Sequence, residues 1–418
     1  MEILIKASVV VLLCVMRGLC QNDDYDYDTD YGPGPEEYPG PYQITHNTEY
    51  SGPPPSYPNG CARECFCPPT FPQTMYCDNR KLKEIPNIPS HIQQVYLQFN
   101  DIEGVKVKSF INATALKEIN LSHNRIKSNK IEALVFSKLH NLEQLFMDHN
   151  ELEEIPPDLP NSIERIFLGF NRIFKLKEHD LRGLVKLTML DLCNNQIDNF
   201  KGKTVNKLEN LMQLNICNNK LHAMPGNLPP SIMYLSLENN SISKIPEDYF
   251  TKLQNLVAIR MSHNNLEEIP IKMFNLPNLM ELNLGHNKLK QVFLIPKTLE
   301  HLYLQDNEFE VLNITKMCPV IDHLNPNRLT YLRLDQNKLK APISMYAYLC
   351  FPHMQRIYYG EQKRVNGEYT RIQEPMLTHP PVSEEEDEDD EDDRREYAGY
   401  YQHEHGADTE NYSDNYSY

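Results

Sequence analysis

The sequence predicts an α/β solenoid of short parallel strands on a concave face, with disulfide caps at both ends and disordered acidic tails. Three observations carry that reading. The spacing L-x-x-L-x-L-x-x-N-x-L recurs along the chain, the cysteines gather largely at the two ends of the recurrent region, and most of the charge of −17 lies outside it. The template is plainest in "KLTMLDLCNNQI" (186–197), where Leu187, Leu190, Leu192, Asn195 and Ile197 hold the fixed positions, and in "NLMQLNICNNKL" (210–221). Its Asn falls at Asn100, Asn124, Asn150, Asn171, Asn195, Asn219, Asn240, Asn264, Asn287, Asn307 and Asn337, each followed two places later by an apolar residue. Eleven matches spaced 20 to 30 residues apart define a leucine-rich repeat.

Residues 1–20 precede the array with Lys6, an apolar run from Ala7 to Met16, and small residues Gly18 and Cys20, the layout of a cleaved signal peptide. The mature chain is expected to begin at Gln21 and to be secreted. No second apolar run approaches the 18 or more residues of a membrane span, so membrane insertion is not expected. In an oxidising compartment the eight cysteines after Cys14 and Cys20 read as disulfide candidates before they read as zinc ligands.

Residues 21–60 hold eight Asp/Glu and no Lys/Arg, are rich in Pro and Gly, and lack apolar periodicity, so they are expected to be disordered. Residues 61–91 form the N-terminal cap, in which Cys61, Cys65, Cys67 and Cys77 spell C-x3-C-x-C-x9-C. Four cysteines allow three pairings. Residues 92–360 carry the repeats. Each x-L-x-L-x segment reads as a strand whose leucines point inward while alternate residues face out, and one repeat alone cannot bury its apolar side. Both ends therefore need caps, and Cys318 and Cys350 bracket the last full repeat, stapling its lengthened 30-residue spacing. Cys193 and Cys217 hold equivalent positions in successive repeats. Their Cα atoms are expected about 5 Å apart, which allows either a disulfide or a thiol pair. The oxidising compartment tips the balance to the bond, and two ligands do not make a metal site.

Residues 361–418 hold 18 Asp/Glu against five Lys/Arg. A near-neutral body between two acidic segments argues against nucleic acid as a partner and favours cations or basic proteins.

The cysteine cap, the lengthened penultimate repeat with Cys318 and Cys350, and the short repeats opening "IPSHI", "LPNSI", "LPPSI" and "IPKTL" resemble the class II small leucine-rich proteoglycans over essentially the whole mature chain. The acidic run "SEEEDEDDEDD" (383–393) is not general in that class and is similar to its bone and dentine member. The resemblance implies the pairings Cys61–Cys67 and Cys65–Cys77, keratan sulfate on repeat glycosylation sites, tyrosine sulfation, and attachment to cells through integrin. There is no Arg-Gly-Asp in the chain to mediate the last.

Alternate strand residues form a concave surface of aromatics and both signs of charge, which suits an extended protein better than a small substrate. Glu238, Arg260, Glu281, Tyr303, Arg333 and Asp335 are the expected contacts for fibrillar collagen, a partner the resemblance implies. Asn-x-Ser/Thr sequons occur at Asn112, Asn120, Asn239, Asn313, Asn411 and Asn415. Carboxylates flank Tyr25, Tyr27, Tyr31, Tyr38, Tyr397, Tyr412 and Tyr416, as sulfation prefers. The consecutive carboxylates Glu384, Glu385, Glu386, Asp387, Glu388, Asp389, Asp390, Glu391, Asp392 and Asp393 repel one another into an extended strand. That strand lacks the ligand spacing of a dedicated calcium loop and suits hydroxyapatite, whose calcium ions are fixed in a surface. His123, His149, His263 and His286 each precede a template Asn, in two pairs, but without a visible third ligand they read as solvated rim residues rather than a metal site. No catalytic motif or cofactor-binding loop is present, which disfavours an enzyme. The expected function is a matrix protein that binds collagen and mineral; a soluble trap for growth factors is the alternative.

Overall fold

A computed structural model describes residues 60–372 except 178, 201–204 and 365–368. The expected signal peptide and almost all of the 21–60 segment lie outside these residues. So do the seven tyrosines proposed for sulfation, Asn411, Asn415 and the 384–393 acidic run.

Thirteen three-residue strands form one parallel sheet whose spatial order follows the sequence. They are β1 (Thr74–Tyr76), β2 (Gln94–Tyr96), β3 (Glu118–Asn120), β4 (Gln144–Phe146), β5 (Arg165–Phe167), β6 (Met189–Asp191), β7 (Gln213–Asn215), β8 (Tyr234–Ser236), β9 (Ala258–Arg260), β10 (Glu281–Asn283), β11 (His301–Tyr303), β12 (Tyr331–Arg333) and β13 (Arg356–Tyr358). The register places template leucines side by side, as in Leu190↔Leu214↔Leu235. Leu187, Leu190, Leu192 and Ile197 are fully buried, as are their counterparts Leu211, Leu214, Ile216 and Leu221, so each turn completes the core of the one before. Helix is sparse among the described residues. Val107–Phe110, Ile314–Met317 and Tyr346–Cys350 make single turns of α-helix.

The template Asn closes each turn. In Asn195 the amide Nδ2 donates to the carbonyls of Leu168, Leu192 and Cys193 at 2.9, 3.1 and 3.2 Å, while Oδ1 accepts from the Ile173 N–H at 2.9 Å. A side-chain amide offers two donor hydrogens and a separate acceptor oxygen in this short reach, where a hydroxyl has a single donor, and this suits Asn to the position. The residue just before it has a positive φ in all eleven repeats, from 49° at Asn239 to 57° at Phe99. Asn, Asp and His, the more tolerant non-glycine types in this left-handed region, fill eight of the eleven positions.

Four disulfides join Cys61 to Cys67, Cys65 to Cys77, Cys193 to Cys217 and Cys318 to Cys350. The Cα atoms of Cys193 and Cys217 are 4.5 Å apart, within the ordinary disulfide range, because their strands are nearest neighbours. The N-terminal cap adds β1 to the sheet, and Phe66 bridges Tyr76 in antiparallel fashion.

Past residue 360 the chain continues into β14 (Glu361–Lys363), paired antiparallel with β15 (Tyr369–Arg371). The physical reason is Gln362. Its side chain is fully buried, Nε2 donates to the carbonyls of Leu334 and Tyr359 at 3.1 and 2.6 Å, and Oε1 accepts from the Leu339 N–H at 3.1 Å. It repeats the bonding of the template Asn one turn further on, and the Lys363 ammonium pairs with Asp306 to fasten the extension.

Candidate functional site

The first and third residues of each strand face away from the core and line the concave side, as the alternating burial of β2, β3, β4, β10, β11 and β12 shows. The sheet register then decides which of them meet. Tyr331 on β12 packs against Tyr303 of β11 at 5.1 Å between ring centroids and against Tyr358 of β13 at 5.5 Å, with His301 at 6.1 Å. Burial, first of all, pushes the Tyr331 phenol above its ordinary value, so this central ring is uncharged at neutral pH. A second aromatic surface lies towards the N-terminus, where Phe146 and Phe167 stack at 4.5 Å and Tyr76 and Tyr96 at 5.2 Å. Burial and, next, the Glu118 carboxylate raise the Tyr96 phenol to about 12.

The six residues expected to contact collagen all lie on this side, yet most of their charge is already matched. Arg260 bonds Glu281 through Nε and Nη2 at 2.6 and 3.3 Å, and Arg333 bonds Asp335 at 2.9 and 3.3 Å. Glu238 accepts from the Ser262 hydroxyl at 2.7 Å and the Asn283 amide at 3.3 Å. Two planar, neutral ion pairs thus lie on the strands around Tyr303, rather than a set of open charges. The sequence did not identify Tyr331 as part of a cluster, nor Tyr358, which stands on a cap strand beyond the last template match. Strand register was the missing information.

Near the middle of the sheet, burial pushes the Asp191 carboxyl up, although it accepts from the Cys193 N–H at 2.9 Å and the Asn215 amide at 3.1 Å. Along one rim, the left-handed positions stack Phe99, His123, His149 and Phe170 at 4.4, 4.0 and 4.1 Å, and His263 on His286 at 3.9 Å. Burial, with His123 next in weight, holds the His149 imidazole below its usual value. Of the sequons in the repeats, Asn112, Asn239 and Asn313 are exposed, whereas Asn120 sits half-buried on β3 with Oδ1 accepting from the Ser122 N–H at 3.0 Å.

Family comparison agrees with this architecture. A leucine rich repeat model matches residues 90–152, 230–289 and 258–309, and a leucine rich repeat N-terminal domain model matches 60–89. Among solved structures, the leucine-rich repeat domain of APL1B shares the fold at a TM-score of 0.53 and 19% identity, covering 68% of this chain and 82% of that one. YopM from Yersinia enterocolitica does so at 0.51 and 20%, covering 70% and 60%. Curated relatives are much nearer in sequence. Human keratocan is 43% identical over 309 residues, 71% of this chain and 88% of its own. The chain belongs to the class II small leucine-rich proteoglycans, secreted proteins of the extracellular matrix. Within that family it is similar to osteomodulin, with 54% identity to the Bos taurus protein and 55% to the Rattus norvegicus protein, each over 88% of both chains. Among the described residues no helix is long and apolar enough to cross a membrane.

Proposed function

We infer that this matrix proteoglycan binds fibrillar collagen through its concave face and calcium mineral through its acidic C-terminal segment, and that it performs no catalysis. The observation that carries the collagen reading is the aromatic cluster of Tyr303, Tyr331 and Tyr358 beside the neutral pairs Arg260–Glu281 and Arg333–Asp335. Aromatic rings and half-buried, paired guanidinium groups on a broad sheet offer large contact area with little side-chain entropy to lose, and they suit an extended, regular ligand. The mineral reading rests on the ten consecutive carboxylates from Glu384 to Asp393. Sulfated tyrosines and glycans on the repeat sequons would add negative charge, and cell attachment through integrin accompanies the matrix role.

The test uses the full chain, a Tyr303→Ala/Tyr331→Ala variant and a chain lacking residues 382–418. The double variant is expected to lose at least about tenfold in affinity for collagen fibrils while keeping its adsorption to hydroxyapatite. The truncated chain is expected to do the reverse. Undiminished collagen binding by the tyrosine variant would remove the concave cluster as the contact, and equal mineral adsorption by the truncated chain would reduce the acidic segment to a solvating brush. Capture of a growth factor in preference to collagen would favour the soluble-trap reading.

A further inference from the structure

We propose that His123, Asp148 and His149 form a binding site for one divalent transition-metal ion, of the Zn²⁺ type, on the rim of the solenoid. The sequence showed two histidines 26 residues apart and no third ligand. The fold supplies the third. One nitrogen from each imidazole and a carboxylate oxygen of Asp148 all lie within 4.8 Å of one another. The backbone holds these residues together: the His123 N–H donates to the Asp148 carbonyl at 3.0 Å, and the Asn124 N–H donates to the His149 carbonyl at 3.2 Å. The Ser122 hydroxyl donates to Asp148 Oδ1 at 2.7 Å, which orients the carboxylate as an outer partner orients a metal ligand.

Two imidazoles and one carboxylate match the donor preference of zinc and its neighbours, and an ion held by three protein groups keeps a position for water or for a group from a partner. Donors around a tetrahedral ion with bonds of about 2.0–2.2 Å sit roughly 3.4 Å apart, so the cluster must contract by at most about 1.4 Å. The rings now stack at 4.0 Å with only 13° between their planes, so their in-plane lone pairs lie in separate, nearly parallel planes that one ion cannot share. Binding therefore turns at least one imidazole out of the Phe99–His123–His149–Phe170 stack, a rotation about side-chain bonds that leaves the strand ladder intact.

The second histidine pair shows why the site is specific to the first. His263 and His286 also stack, but the carboxylate beside them, Asp306, is bonded by His286 Nδ1 at 2.8 Å and neutralised by the Lys363 ammonium. A lysine stands where a cation would go. Asp148 makes no ion pair with a Lys or Arg among the described residues.

Zn²⁺ titration of the full chain by calorimetry, in millimolar Ca²⁺ to occupy sites built of carboxylates alone, tests the proposal. One equivalent of Zn²⁺ is expected to bind. Asp148→Asn, which preserves the size of the side chain and an acceptor for Ser122, should weaken that binding by at least about tenfold, as should His149→Ala, while His286→Ala should not. Equal affinity in the wild-type chain and Asp148→Asn would overturn the three-ligand site, as would Zn²⁺ uptake that Ca²⁺ abolishes. Loss of the binding in His286→Ala but not in His149→Ala would assign the ion to the other pair.

Discussion

Each template Asn is a junction of at least four bonds between neighbouring turns, and its replacement leaves a buried N–H without a partner. Removing the Asn195 amide strands the Ile173 N–H and withdraws a donor from three carbonyls. An unsatisfied buried group costs roughly 1–3 kcal/mol, so Asn195→Ala is expected to destabilise the chain by about 3 kcal/mol in urea unfolding. A loss below about 1 kcal/mol would mean that water replaces the amide. These residues were legible because their side chains bond within one or two turns, leaving a fixed spacing. Gln362 does the same work with a longer side chain and was passed over, since the template admits only Asn at that place. Asp148 was missed as a metal ligand for a different reason. An acidic residue beside His149 is unremarkable in sequence, and its closeness to His123 exists only once two turns stack.

At the level of the strand, β6 and β7 combine a disulfide with a half-buried carboxylate. Asp191 on β6 has its carboxyl raised by burial, so the folded chain holds that proton more tightly than the unfolded chain does. Between the ordinary Asp value, about 3.9, and the raised value, the native state binds more protons, and stability falls as pH rises. Asp191→Asn retains an acceptor for the Cys193 N–H and removes this slope. The variant is expected to gain stability relative to wild type as pH climbs through that window, and to hold the gain above it, in urea midpoints measured across pH. Parallel curves would show that Asp191 is well solvated. The same strands mark the limit of the sequence reading. That Cys193 and Cys217 occupy equivalent positions was visible, as was their closeness, but the choice between bond and thiol pair depends on side-chain geometry. Likewise Arg260 and Glu281 were each recognised as concave, yet their mutual pairing follows from the register of β9 and β10.

On the scale of the whole molecule, a solenoid converts a one-dimensional repeat into a broad surface on which residues more than 50 positions apart, such as Tyr303 and Tyr358, belong to one aromatic cluster. The architecture was legible from spacing because each strand pairs only with its sequence neighbours and every repeat must satisfy the same local rules. The composition of the face was legible too, but its grouping into a tyrosine cluster, two neutral ion pairs and a histidine rim was not, because adjacency across strands is set by repeat lengths that vary from 20 to 30 residues. The central claim is that collagen lies on this face. Hydroxyl-radical footprinting of the full chain, with and without collagen fibrils, tests it most directly. Protection is expected at Tyr303, Tyr331 and Tyr358, while Met345 and Leu324, 70% and 91% exposed, stay as reactive as in the free protein. Unchanged oxidation of the three tyrosines together with protection of Met345 or Leu324 would contradict the account and move the collagen contact off the concave face.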